Sequence, residues 1–135
     1  MDTDTVAAAM RSPMGASAGL LLAAGRGRVV LVASVPLVVE YEAVCSRLEH
    51  RVAAGLSEVE VRVFLDSVAA LMEPAQCWFL WRPQLHDAGD ELVLEAAVNG
   101  GAEAIVTFNR RDFVPAADRF GVRVLLPREA LAICR

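Results

Sequence analysis

Residues 104–112 read Ala-Ile-Val-Thr-Phe-Asn-Arg-Arg-Asp, and the fold turns on how they are read. Ala104 to Phe108 is a short apolar run broken only by Thr107, which predicts a buried strand. Thr107, Asn109 and Asp112 then leave the carboxyl end of that strand as polar groups. The bland alternative is a turn in which Asp112 caps a short helix. Working outward, Val29 to Ala33 and Val122 to Leu126 are two further apolar runs of strand length. Helical stretches separate them. Val6 to Met10 reads as a helix start behind Asp2, within a Gly/Ala-rich segment that ends at Arg26-Gly27-Arg28. Ser34-Val35-Pro36 is a helix-start signal for Leu37 to about His50. Ser57 and Glu60 have capping-box spacing for a helix to about Met72, closed by Pro74. Cys77 to Trp81 has the composition of a short strand. Asp87 to Asp90 opens a helix through Val98 that Asn99-Gly100-Gly101 ends, and Pro127 starts a last short helix. Helices alternating with apolar strands imply a central parallel sheet in a three-layer α/β/α sandwich, with ligands beyond the carboxyl ends of the strands. With no repeat or linker, residues 1–135 are expected to form a single domain.

Composition narrows the chemistry. The 135 residues are 56% hydrophobic, and the mean hydropathy is +0.43, so the chain is not disordered as a whole. Charged residues, glycine or proline interrupt every apolar run before membrane-spanning length, and a buried parallel sheet accounts for the excess of Val, Leu and Ala. No secretory signal is evident at the amino end, and Cys45, Cys77 and Cys134 form no ligand pair or disulfide framework, so a cytoplasmic setting is expected. A net charge of −4 argues against a broad basic surface for nucleic acid. All 13 basic residues are arginine, which removes phosphate-loop and Schiff-base lysine chemistry. His50 and His86 have no ligand-spaced partners and read as surface or structural residues. No nucleophile-elbow motif supports a serine hydrolase.

The acids carry the functional signal. Glu40 shares a helical stripe with Leu37, Tyr41, Val44 and Leu48, whereas Glu42 falls off it toward solvent. An acid on a buried stripe must find a partner, lose its charge or hold a cation. Asp90 shares a stripe with Val93, Leu94 and Ala97, with Asp87 one turn earlier. The bland alternative makes Asp87 an N-cap and Asp90 or Glu91 ordinary first-turn acids. Carboxylates converging at one strand-end site would repel, and a hard divalent cation such as Mg²⁺ or Mn²⁺ relieves that repulsion. Such a cation also serves phosphodiester hydrolysis.

Four segments in order resemble the motifs of the PIN-domain family, and of its VapC-like toxin nucleases in particular. Asp2-Thr3-Asp4 resembles the opening Asp-Thr-Asn, and Val39-Glu40-Tyr41-Glu42 the second motif. His86 to Glu91 resembles the acidic third stretch, and Val106 to Phe113 the closing Thr-x-Asn/Asp-x-x-Asp-Phe. The resemblance implies a ribonuclease that cleaves single-stranded RNA and is held in check by a cognate antitoxin protein, with room for a homodimer and no membrane partner. It implies Asp2, Glu40 and Asp90 as catalytic metal ligands for Mg²⁺ or Mn²⁺, completed by Asn109 and Asp112. Thr3, Asp87 and Thr107 would support them, and Arg110 and Arg111 would meet RNA phosphate. Asp4 replaces the usual Asn, and Asn109 stands where many members have Asp. The family sets a hydrophobic strand before its first Asp, whereas Met1 alone stands there in this sequence. The sheet is therefore expected to lack its first strand, with a start further upstream as the favoured account.

Two other readings compete. One is a catalytically impaired binding module that keeps the fold and engages an antitoxin. The other takes Asp2-Thr3-Asp4-Thr5-Val6 as the nucleophile motif of a haloacid-dehalogenase-like phosphatase, in which Asp2 attacks phosphorus.

Overall fold

The computed structural model describes residues 1–78 and 84–134. Two helices lead. Asp2 caps α1 (Thr3–Arg11) by accepting the Thr5 N–H, and Val6, Ala7, Ala9 and Met10 bury its inner face. Apolar α2 (Ala16–Gly25) follows. Next come β1 (Leu31–Ala33) and α3 (Val35–Cys45), whose Ser34 cap and early proline stand where the sequence signal sets them.

The helix expected from Leu37 to His50 is two helices. Backbone at Arg47 turns extended, and α4 (Leu48–Ala54) starts in a new direction. The stripe is lost across that turn, so Leu48 is exposed rather than inward. Gly55 closes α4 at φ +69°, the left-handed region that only glycine enters without cost. The reciprocal Ser57–Glu60 box starts α5 (Glu58–Leu71). Met72 to Pro74, expected as a helix end, is instead β2, the parallel partner of β1. Cys77 and Trp78 are irregular, and the rest of the strand expected at Cys77 to Trp81 lies outside the described residues. The chain ends with α6 (Ala88–Asn99), β3 (Ala104–Val106), α7 (Arg110–Arg119), β4 (Arg123–Leu125) and α8 (Pro127–Ile133).

The strands form two separate parallel pairs, β1·β2 and β3·β4, so the described residues contain no single continuous central sheet. This corrects the expected architecture to a helix-rich domain with two small sheets, consistent with an α/β/α layout. The Asp2 N–H donates to the Val106 carbonyl at 2.9 Å, and the Tyr41 hydroxyl donates to the Met1 carbonyl. Met1 and Asp2 thus lie against the end of β3 and against α3. Around them pack α1 against α2 and α3, α2 against α8, and α6 against α3, β1 and β3. Tyr41, Phe113, Leu20, Leu37, Ile105, Val6 and Val68 are the largest fully buried side chains of this core. No single helix among the described residues is long and apolar enough to cross a membrane.

Candidate active site

The carboxyl end of β3 anchors the site. Asp2 is buried, and both of its oxygens are held. Oδ1 accepts the Thr5 N–H at 2.9 Å, and Oδ2 accepts the Thr107 hydroxyl. Thr107 is fully buried, and its oxygen also accepts the Asn109 N–H at 2.9 Å. The Thr5 hydroxyl donates to the Val106 carbonyl at 3.3 Å. One buried carboxylate therefore joins the start of α1 to the end of β3. Thr5 is the helix-side partner; Thr3, the threonine expected to support the site, is half-buried at the first position of α1.

Glu40 is half-buried on α3, while Glu42 is exposed. A Cβ built at Gly89 would lie 3.4 Å from the Glu40 Oε1 and 3.0 Å from an Asp87 oxygen, which brings Glu40 beside the start of α6. Asp87 is exposed and caps α6, accepting the Gly89 and Asp90 N–H groups at 2.7 and 3.1 Å. The capping reading therefore describes its present contacts. Asp90 is half-buried. Its pKa rises from 3.8 to about 6, through burial first and then through the charges of Asp87, Asp2, Asp112 and Asp4. Acids from the chain start, from α6 and from the start of α7 thus share one field.

Asn109 and Asp112 are exposed at the start of α7, and the Asn109 amide reaches Asp4 Oδ2 at 3.5 Å. Arg110 is committed elsewhere: its guanidinium forks onto Glu129 at 3.0 and 3.1 Å, and Glu129 in turn accepts the Leu126 N–H. Arg111 is exposed. Glu91, read from the sequence only as a first-turn acid, is buried, and its Oε1 accepts the Gln84 and Leu85 N–H groups. It fixes the approach to α6 and so the placement of Asp87. Single-stripe reasoning missed it because α6 is buried on more than one side, from Val93 through Ala97 as well as at Glu91.

The donor set suits a hard divalent cation: oxygen ligands only, mutually repelling, with Asp90 holding its proton more tightly through burial first and then through that repulsion. The fit is one of chemistry rather than of a finished cage. Among the described residues no three His, Cys, Asp or Glu side chains are grouped to hold a metal ion as they stand. Asp2 and Asp87 are each turned to backbone and hydroxyl donors instead.

A family model described as the PIN domain matches residues 1–111. That is most of the chain, and the protein belongs to the PIN-domain family. No curated protein and no solved structure matches it significantly.

Proposed function

We propose that this protein is a metal-dependent endoribonuclease of single-stranded RNA, the cytoplasmic toxin of a toxin–antitoxin pair. The observation that carries the reading is the gathering of acids at Asp90, whose proton affinity is raised by burial first and then by the charges of Asp87, Asp2, Asp112 and Asp4. Asp2, Glu40 and Asp90 would hold Mg²⁺ or Mn²⁺, with Asn109 and Asp112 completing the set. The bound cation would supply Lewis-acid activation of water and stabilisation of the leaving oxygen. The chain's own residues orient that site. Thr107 and the Thr5 N–H hold the Asp2 carboxylate, and Asp87 sets the first turn of α6 under Asp90. Arg111 is the exposed cation for RNA phosphate, since Arg110 is paired with Glu129.

The phosphatase reading has less support. Its nucleophile would be Asp2, which is buried and hydrogen-bonded through both oxygens. The second reading is a binding module that engages an antitoxin without cleaving RNA.

Metal linkage separates the two. Mn²⁺ at a hundredfold its Kd should stabilise the folded chain by about 2.7 kcal/mol, and Asp90→Asn should abolish the rise in melting temperature. Cleavage of an end-labelled single-stranded RNA should then depend on Mn²⁺ or Mg²⁺ and vanish in Glu40→Gln. A folded chain with no Mn²⁺-dependent shift and no cleavage would establish the binding module. Hydrolysis of a small phosphomonoester that survives Glu40→Gln would establish the phosphatase.

A further inference from the structure

We propose that the hollow beside Phe108 is a base subsite, which takes one unpaired nucleobase of the RNA strand whose phosphate reaches the acids. The choice of ligand rests on the ribonuclease reading; the hollow itself is set by the fold. It has a volume of about 440 Å³, within the range of small-ligand sites. Ala8, Phe108, Leu126 and Pro127 supply apolar walls, and Ser17 and Arg128 are its polar side chains of note. The walls come from α1, α2 and the start of α8, closed round the residue that follows Thr107.

Two features call for hydrogen-bonding groups in the occupant. Ser17, in the first turn of α2, is 4% exposed, and its Oγ has no hydrogen-bond partner among the described residues. A hydroxyl carries one donor and two acceptor sites, so leaving it unused in a buried place is costly. The helix start beside it has Gly15 as its N-cap and no side-chain capping bond. First-turn N–H groups left in this way favour an oxygen acceptor. A nucleobase edge brings donors and acceptors on a flat apolar ring. An aliphatic protein side chain would fill the walls and leave the Ser17 hydroxyl unanswered.

Phe108 supplies the face. Expected to end a buried strand, it is instead 51% exposed, beside the fully buried Thr107 that holds Asp2. Phe108 and Leu126 also border a second hollow of about 550 Å³, whose lining includes Asn109, Arg111 and Asp112. Phe108 is therefore shared between an apolar hollow and a polar one that leads to the acids. A strand that lays one base on Phe108 passes the exposed Arg111 and Asn109 on its way to Asp90. Stacking on an aromatic face tolerates any base. It requires a base that can be splayed out, and in a duplex the faces and edges are already engaged. The hollow thus fits a single strand.

The test measures binding of a dye-labelled short single-stranded RNA by fluorescence anisotropy, in chelator, so that neither metal nor cleavage enters. A set of the same RNA lacks one base at successive positions. One abasic position should weaken binding about tenfold. Phe108→Leu keeps apolar bulk without the aromatic face. It should weaken binding of the intact RNA by a similar factor and be indifferent to that abasic position, whereas Phe108→Trp should bind as the parent does. Ser17→Ala should weaken binding about threefold without lowering the melting temperature, because the hydroxyl has no partner in the fold. Equal affinities of Phe108→Leu and the parent would overturn the proposal, as would the absence of any sensitive abasic position. So would a lower melting temperature of Ser17→Ala with unchanged RNA affinity, or equal binding of the same RNA as a duplex. Cleavage in Mn²⁺ that is lost in Glu40→Gln but untouched by Phe108→Leu would overturn the base subsite and leave the nuclease reading standing. Binding in chelator that depends on Phe108 and on one base, with no cleavage in Mn²⁺, would uphold the subsite and overturn the nuclease reading.

Discussion

Asp2 holds together three things that sequence alone leaves apart: a helix cap, a strand end and an acid site. Its Oδ1 caps α1, and its Oδ2 takes the Thr107 hydroxyl across 105 residues of sequence. Thr107 is the residue to test. Thr107→Val keeps the shape but removes the hydroxyl that serves both Asp2 and the Asn109 N–H. It should cost about 1–3 kcal/mol, read as a lower urea midpoint, whereas Thr107→Ser should retain most of the stability. Equal losses in the two variants would show that packing, not the hydrogen bonds, sets the value of the site. Thr107 stood out in the sequence as a polar residue in an apolar strand run, and Asp2 through the resemblance of Asp2-Thr3-Asp4 to the family's opening motif. Thr5 was legible only in part. It stands three residues after an N-cap acid, the position whose N–H such a cap serves. The contact with Val106 that buries it depends on the strand beyond.

Among the elements, those framed by local signals formed where they were read. Ser34 with Pro36, the Ser57–Glu60 box and Asp87 each start the helix they predict. Elements set by packing did not follow. Neither β2 nor the break between α3 and α4 carries a local signal strong enough to outvote helix-compatible composition. Close approach of α6 to β1 is a further tertiary feature, and it rests on Gly100. A Cβ there would lie 2.5 Å from Val32 Cγ1 and 3.1 Å from Ala75 Cβ. Gly100→Ala should therefore destabilise by about 1–3 kcal/mol. Gly25→Ala, whose Cβ would meet nothing nearer than Leu71 Cδ2 at 3.7 Å, should be neutral or stabilising by up to about 1 kcal/mol. Chemical denaturation of the two variants distinguishes a crowded glycine from a merely flexible one.

For the molecule as a whole, the burial of Asp90 and, after it, the charges of the acids around it make stability depend on pH. The folded-state pKa of Asp90 is raised, to about 6 from 3.8. A raised pKa means that the folded state holds its proton more tightly than the unfolded chain does. Its stabilising effect is complete below about pH 3.8 and is lost as the pH rises through about 6. With a chelator present, Asp90→Asn should be more stable than the parent at pH 7, and the gap should close as the pH falls toward 4. Urea midpoints across that range check the sign, and a gap that does not change with pH would show that neither burial nor the other acids raise the Asp90 pKa in the folded state. Solvent around this half-buried group screens part of the effect.

By itself the sequence determined the alternation of helices with short apolar strands, the caps that frame those helices, and the acids that share inward stripes. Those follow from local periodicity and from backbone donors that must be satisfied near where they arise. Only the tertiary structure decided that the strands of the described residues form two pairs rather than one sheet, that Thr5 and Thr107 hold Asp2, and that Arg110 is tied to Glu129. It also decided that Asp90 feels four other acids. Each of these depends on distances between segments far apart in the chain. No window of neighbouring residues contains such distances.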